Sequence, residues 1–185
     1  MYQPIYMILL QKNYNEQFEG AVHAFQALSR SLNVPSVHLL RKYGHIKFLH
    51  DLKDLGFTNL NKGANHYGLT MILGGGEVSL WNLAAAYLKY AGTLNEFNES
   101  GLYADIDSMK IHTKRKDRIN HYYYNEAHFI DAGSIWLTFK AMELVNRPES
   151  QKFWQRFSSS RRVAWKTGTS FGFRDGWAIG TTPEY

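Results

Sequence analysis

Residues 163–182 read "VAWKTGTSFGFRDGWAIGTT", and the reading of this stretch decides the fold. Residues 161–170, "RRVAWKTGTS", and residues 176–182, "GWAIGTT", are rich in β-branched and aromatic side chains, which suit a pleated, half-buried surface. Val163, Trp165 and Thr167 alternate on one face. Between the two runs "FGFRD" leads into Asp175-Gly176, a pair that favours the tight turn of a hairpin. An antiparallel hairpin over 162–182, turning around residues 174–176, is therefore expected.

Upstream of the hairpin the apolar spacing is helical. In "GAVHAFQALSRSLNVPSVHLLRKYG" (20–44), Val22, Phe25, Leu28 and Leu32 form one stripe. Pro35 suits the first turn of a second helix, and Gly44 suits its C-terminal cap. The break between these helices carries Ser31, Leu32 and Asn33. "HIKFLHDLKDLGF" repeats the pattern through Ile46, Leu49, Leu52 and Leu55 and is closed by Gly56. Ser79 is placed to cap another helix, with Leu80, Leu83, Ala84, Tyr87, Leu88 and Ala91 on its buried face and Gly92 beyond its end. Residues 93–127 are polar and read as a long loop, and a last helix is expected from Asp131 to Val145, before Pro148. Helices followed by an antiparallel hairpin define an α+β fold.

The 185 residues suffice for one domain with its own core, and 44% hydrophobic with 15% aromatic content indicates a folded chain. The absence of cysteine excludes disulfides, thiolate catalysis and cysteine-ligated zinc. A formal net charge of +5 favours anionic partners without choosing among nucleic acid, acidic wall polymer and membrane surface. The apolar run Tyr6 to Leu10 has no basic residues before it and is too short for a signal or membrane-spanning segment.

Three local patterns invite a site and are outweighed by plainer readings. "LGGGEVS" (73–79) lacks the Gly-Lys-Ser/Thr ending of a phosphate loop and has Glu77 there, so it reads as a tight turn feeding a capped helix. The histidines show no metal-ligand spacing, and His121 and His128 are too far apart for one helical face, so no metal or other cofactor is expected. The basic run Lys110, Lys114, Arg115, Lys116 and Arg118, followed by Tyr122, Tyr123 and Tyr124, has the cations and rings of a nucleic-acid-binding stretch. It reads better as a solvated loop anchored by tyrosines, and no nucleic acid is expected.

Ser-Leu-Asn at 31–33 is uninformative alone, and Lys-Thr-Gly at 166–168 is weak alone. Serine acyl-transfer enzymes pair a Ser-containing triplet ending in Asn with Lys-Thr-Gly, in this order. Here the triplet falls at a break between helices, and Lys-Thr-Gly falls on a strand. From about Tyr14 to Tyr185 the chain resembles the transpeptidase domain of class A penicillin-binding proteins. "FEGAVHAFQALSRSLNVPSVHLLRKYG", "YGLTMILGGGEVSLWNLAAAYLKYAG" and, most specifically, "KTGTSFGFRDGWAIG" carry the resemblance.

The resemblance implies a penicilloyl-serine transferase fold, an antiparallel sheet flanked by helices with the active site between them. It makes Ser31, Asn33 and Lys166 catalytic and Thr167, Gly168 and Thr169 substrate-binding. Glycine at 168 lets a peptide lie close to the strand edge. The Thr167 and Thr169 hydroxyls hold a carboxylate within the positive field of Lys166, and the Thr169 N–H serves as oxyanion donor. Ser31 relays a proton toward the leaving amine, and Asn33 holds the substrate amide. Ser31 and Lys166 are accordingly expected to face one cleft.

The family's nucleophile lies in a Ser-x-x-Lys motif upstream of the triplet, where lysine activates the hydroxyl. No serine of this chain has lysine three positions later. Thr113 and Lys116 have the spacing but lie downstream of Ser31. The chain is therefore expected to be a partial domain over 1–185, lacking that segment and the further C-terminal strands, and inactive in isolation. Its implied partners are the peptidoglycan stem peptide and, in the intact family, β-lactams. The implied location is the periplasmic face of the bacterial inner membrane, with the membrane anchor outside this chain. An exposed sheet edge allows a strand-exchanged oligomer. A non-catalytic wall-peptide-binding remnant and a basic nucleic-acid-binding module are the alternatives.

Overall fold

The structure is a computed structural model that describes residues 20–103, 130–145, 162–169 and 175–182. Its elements in chain order are α1 (Ala24–Ser29), α2 (Asn33–Tyr43), α3 (His45–Asp54), α4 (Ala64–Tyr67), a 3-10 helix (Gly68–Leu73), α5 (Leu80–Ser100), α6 (Ala132–Glu143), β1 (Ala164–Thr169) and β2 (Gly176–Thr181). Helices with one antiparallel two-stranded sheet make this an α+β architecture. The basic run at 110–118, the tyrosines at 122–124, His121, His128 and the apolar run at 6–10 lie outside the described residues.

Local chemistry sets most helix ends. Gly44 closes α2 at φ 98°, donating its N–H to the Leu40 carbonyl. Gly56 follows α3 at φ 97°; its N–H bonds Lys53 O at 2.9 Å, and the Phe57 N–H bonds Leu52 O at 3.1 Å. That pair of bonds is a Schellman motif, which needs a left-handed residue where Gly56 stands. Ser79 caps α5 by accepting the Asn82 N–H at 3.1 Å, and Asp131 caps α6 by accepting the Ser134 N–H at 2.9 Å. Each cap satisfies a backbone donor that the first helical turn leaves without an intrahelical partner.

Three expectations need correction. Helix α5 does not stop before Gly92 but runs to Ser100, and Gly101 at φ 71° ends it. A single glycine costs a helix only about 1 kcal/mol relative to alanine. The burial of Thr93 and the contact of Phe97 with the Tyr103 ring (centroids 5.0 Å apart) accompany the continued helix. Secondly, Leu80 and Leu88, read as buried, are 65% and 47% exposed, and Ile46 of the apolar pattern in α3 is 66% exposed, because neighbouring elements cover a different arc of each helix. Thirdly, Gly176 is not in the turn; it pairs with Thr169 as the first residue of β2.

The main core gathers Leu40, Leu49, Phe57, Leu60, Tyr67, Met71 and Ala86 from α2 through α5. The glycine turn at 74–76 packs against it. A Cβ on Gly75 would fall 2.5 Å from Thr70 Oγ1 and 2.9 Å from the Thr70 carbonyl oxygen, and one on Gly76 would fall 2.7 Å from Leu60 Cδ2. These glycines serve close packing, in keeping with a tight turn. On the other side, α6 buries Ala132, Ile135, Ala141 and Met142 and packs against α1, α5 and β1. This helix joins the element before Ser31 to the strand that carries Lys166.

Candidate functional site

Ser31 follows α1 in an unusual backbone state. Its φ is 53°, and it is the only non-glycine residue with positive φ among the described residues. Its N–H bonds Leu28 O at 3.1 Å, while the Leu32 N–H bonds Ala27 O at 2.9 Å, so α1 ends in the same Schellman motif as α3. Leu32, 5% exposed, anchors the turn in the interior. Helix α2 then begins at Asn33, with Ser36 Oγ donating to the Leu32 carbonyl at 2.8 Å and Pro35 in the first turn. A side chain in the left-handed region costs on the order of 1–2 kcal/mol, because Cβ crowds the following carbonyl oxygen.

Lys166 reaches this turn from β1. Its Nζ donates to Ser31 Oγ at 2.5 Å across 135 positions of sequence, and to the Thr167 carbonyl oxygen at 2.5 Å. The ammonium is half-buried, and burial pushes its pKa below the usual lysine value. Removing a cation from water disfavours its charged form.

The hairpin register is Lys166 opposite Ile179, Thr167 opposite Ala178, Gly168 opposite Trp177 and Thr169 opposite Gly176. The strand period of two places Lys166 and Gly168 on one face, and Thr167 and Thr169 on the other. Thr167, Gly168 and Thr169 are exposed. Among the described residues, nothing lies within 4 Å of a Cβ built on Gly168. Asn33, half-buried, opens α2 two positions after Ser31. The structure thus brings Ser31 and Lys166 into direct contact, keeps Asn33 in the same turn, and leaves Thr167 to Thr169 accessible on the adjoining strand.

The strain at Ser31 was missed in the sequence, although a signal existed. "ALSRSL" and "LKDLGF" both carry an apolar residue after the left-handed position, Leu32 in one and Phe57 in the other, and both are buried.

His50, Asp51 and Asp54 place possible ligand atoms within 4.8 Å of one another. Internal pairs already hold them. Asp51 accepts from the Tyr43 hydroxyl at 2.5 Å and from Lys47 Nζ at 2.8 Å, and His50 Nδ1 lies 3.0 Å from Asp54 Oδ2. A lysine ammonium on the central carboxylate opposes a metal cation there.

The Ser-Leu-Asn turn at 31–33 and the Lys-Thr-Gly strand at 166–168 thus touch through Ser31 and Lys166. In sequence, the chain is homologous to one region of the penicillin-binding proteins. It is 30% identical over 173 residues to penicillin-binding protein 1C of Escherichia coli (strain K12), covering 94% of this chain and 20% of that protein. It is 28% identical over 170 residues to penicillin-binding protein 1B of Buchnera aphidicola subsp. Baizongia pistaciae (strain Bp), covering 91% of this chain and 22% of that protein. Against penicillin-binding protein 1B of Vibrio cholerae serotype O1 the identity is 27% over 170 residues, covering 91% and 21% respectively. The chain spans about a fifth of the length of these relatives. No family model matches it. No helix among the described residues is long and apolar enough to cross a membrane.

Proposed function

We propose that this chain supplies the peptide-recognition and proton-transfer part of a peptidoglycan D,D-transpeptidase site, within a penicilloyl-serine transferase fold. The observation that carries the reading is the Lys166–Ser31 contact at 2.5 Å. A hydroxyl and a half-buried cation meet beside an exposed strand edge, where an anionic peptide could pair with β1 and place its carboxylate near Thr167 and Thr169. Lys166 provides positive field, Ser31 passes a proton to the leaving amine, and Asn33 orients the substrate amide. The Thr169 N–H is the oxyanion donor in this reading.

Cross-linking through a serine acyl-enzyme requires an activated nucleophile, and these 185 residues hold no Ser-x-x-Lys. The isolated chain accordingly binds stem peptide without turning it over, while the parent protein acts at the periplasmic face of the inner membrane and is trapped by β-lactams. Binding of labelled stem peptide, with a labelled oligonucleotide as competitor class, tests the reading. Lys166→Met should weaken stem-peptide binding about 10-fold or more, as expected for one charge-assisted hydrogen bond. Oligonucleotide binding without stem-peptide binding would favour the basic-module alternative instead.

A further inference from the structure

Ser31 has features that a proton relay does not require. The residue is exposed, and its backbone is held at φ 53° in a tight turn directly after a helix. Strained turns are one way that folds present a serine hydroxyl to an incoming electrophile. A serine hydroxyl becomes a useful nucleophile when a base lies within hydrogen-bond reach, and lysine is one of the bases that serve this role.

Lys166 meets the geometric requirement at 2.5 Å. Its second contact, to the Thr167 carbonyl oxygen, matters as much. A neutral amine keeps one N–H on that carbonyl and turns its lone pair toward the Ser31 O–H. The strand therefore holds the amine in place in either protonation state. Burial acts in the same direction, since it favours the neutral amine.

We propose that Ser31 is itself a nucleophile, with Lys166 as its general base, toward activated acyl and phosphonyl electrophiles. The Ser31 Oγ forms a bond to the electrophilic carbon or phosphorus as its proton passes to the Lys166 amine. The bond to the leaving group breaks, and the leaving group departs with the electron pair. The Lys166 ammonium then returns the proton to the leaving group or to solvent. Nothing is oxidised or reduced. This chemistry goes beyond the proposed function, in which Ser31 only moves a proton and a different serine is acylated.

The full 185-residue chain is incubated with a fluorophosphonate, and the adduct is located by intact-mass measurement and peptide mapping. Ser31 should carry one adduct, with fluoride released and no other serine modified. Ser31→Gly should abolish labelling while keeping the native thermal transition, because glycine suits the left-handed turn. Lys166→Arg keeps the charge but has no amine to deprotonate, and should slow labelling at least about 100-fold, the low end for a general base. No adduct on the folded wild-type chain, an adduct on another residue, or an unchanged rate in Lys166→Arg would each overturn the proposal. Stem-peptide binding is measured on the same samples. Binding without labelling sinks this inference alone, and labelling without binding sinks the proposed function alone.

Discussion

Ser31 and Gly56 occupy the same position in two copies of one turn. Each is the left-handed residue after a helix, at φ 53° and 97°, and each is followed by a buried apolar side chain, Leu32 or Phe57. The two hydrogen bonds that close the motif agree within a few tenths of an ångström: 3.1 and 2.9 Å after α1, 2.9 and 3.1 Å after α3. One turn uses glycine, which bears no penalty there. The other keeps a side chain whose oxygen contacts Lys166.

The backbone cost at Ser31 can be separated from the hydroxyl's contribution. Ser31→Ala and Ser31→Gly both remove the hydroxyl, but only glycine relieves the left-handed conformation. Ser31→Gly should be more stable than Ser31→Ala by about 1 kcal/mol in denaturant titration. Gly56→Ala should lose about 1–2 kcal/mol for the same steric reason. Equal stability of the two Ser31 variants would show that the turn relaxes when the hydroxyl is gone.

Gly168 separates recognition from stability. With no described residue within 4 Å of a built Cβ, Gly168→Val should fold with a midpoint close to that of the wild-type chain. The added methyl groups would collide with a peptide backbone paired to β1, as the proposed function requires. Stem-peptide affinity should fall by about 10-fold or more, corresponding to at least about 1.4 kcal/mol. Retained affinity would place the peptide elsewhere.

Gly75 is the contrasting case. Its absent side chain leaves room for Thr70 Oγ1, 2.5 Å from where a Cβ would stand, and for the Thr70 carbonyl oxygen at 2.9 Å. Gly75→Ala should cost about 1–3 kcal/mol through overpacking, read as a lower denaturation midpoint. A neutral result would mean that the turn opens freely and takes little part in the core.

Asp51 gives a pH signature. Burial works to raise its pKa, but hydrogen bonds from Lys47 and Tyr43 outweigh that effect and hold the carboxyl below its ordinary 3.8. A depressed folded pKa contributes stability that is present above the unfolded value and is lost as pH falls through the folded one. Asp51→Asn should therefore cost about 1.5 kcal/mol at neutral pH, the low end for hydrogen bonds to a charged group, since the Lys47 partner is largely exposed. The stability difference between wild type and variant should shrink as pH falls below about 4. A difference that stays constant down to the lowest measurable pH would show that the carboxylate charge is not what stabilises this cluster.

Much of the α+β framework was legible in the chain because it depends on neighbours a few residues apart. Pro35 and Gly44 bracket α2, Gly56 follows α3, and Ser79 and Asp131 cap α5 and α6 through donors three residues on. The two strands could be read from their β-branched and aromatic content. The hairpin's turn could not be placed. Asp175-Gly176 carries the composition of a two-residue turn, yet pairing with Thr169 draws Gly176 into β2.

The sequence by itself thus determined the starts of the main helices, the two strands, and the order in which Ser31-Leu32-Asn33 and Lys166-Thr167-Gly168 follow one another. Capping, periodicity and motif identity are local, set by atoms within one or two turns of each other. Only the tertiary structure decided which apolar faces are covered, leaving Ile46 and Leu80 exposed, and carried α5 past Gly92. Burial depends on neighbours contributed from distant parts of the chain. The meeting of Ser31 with Lys166, 135 positions apart, is of the same kind. It exists because α6 packs on both α1 and β1, and no local preference of either residue could bring that contact about.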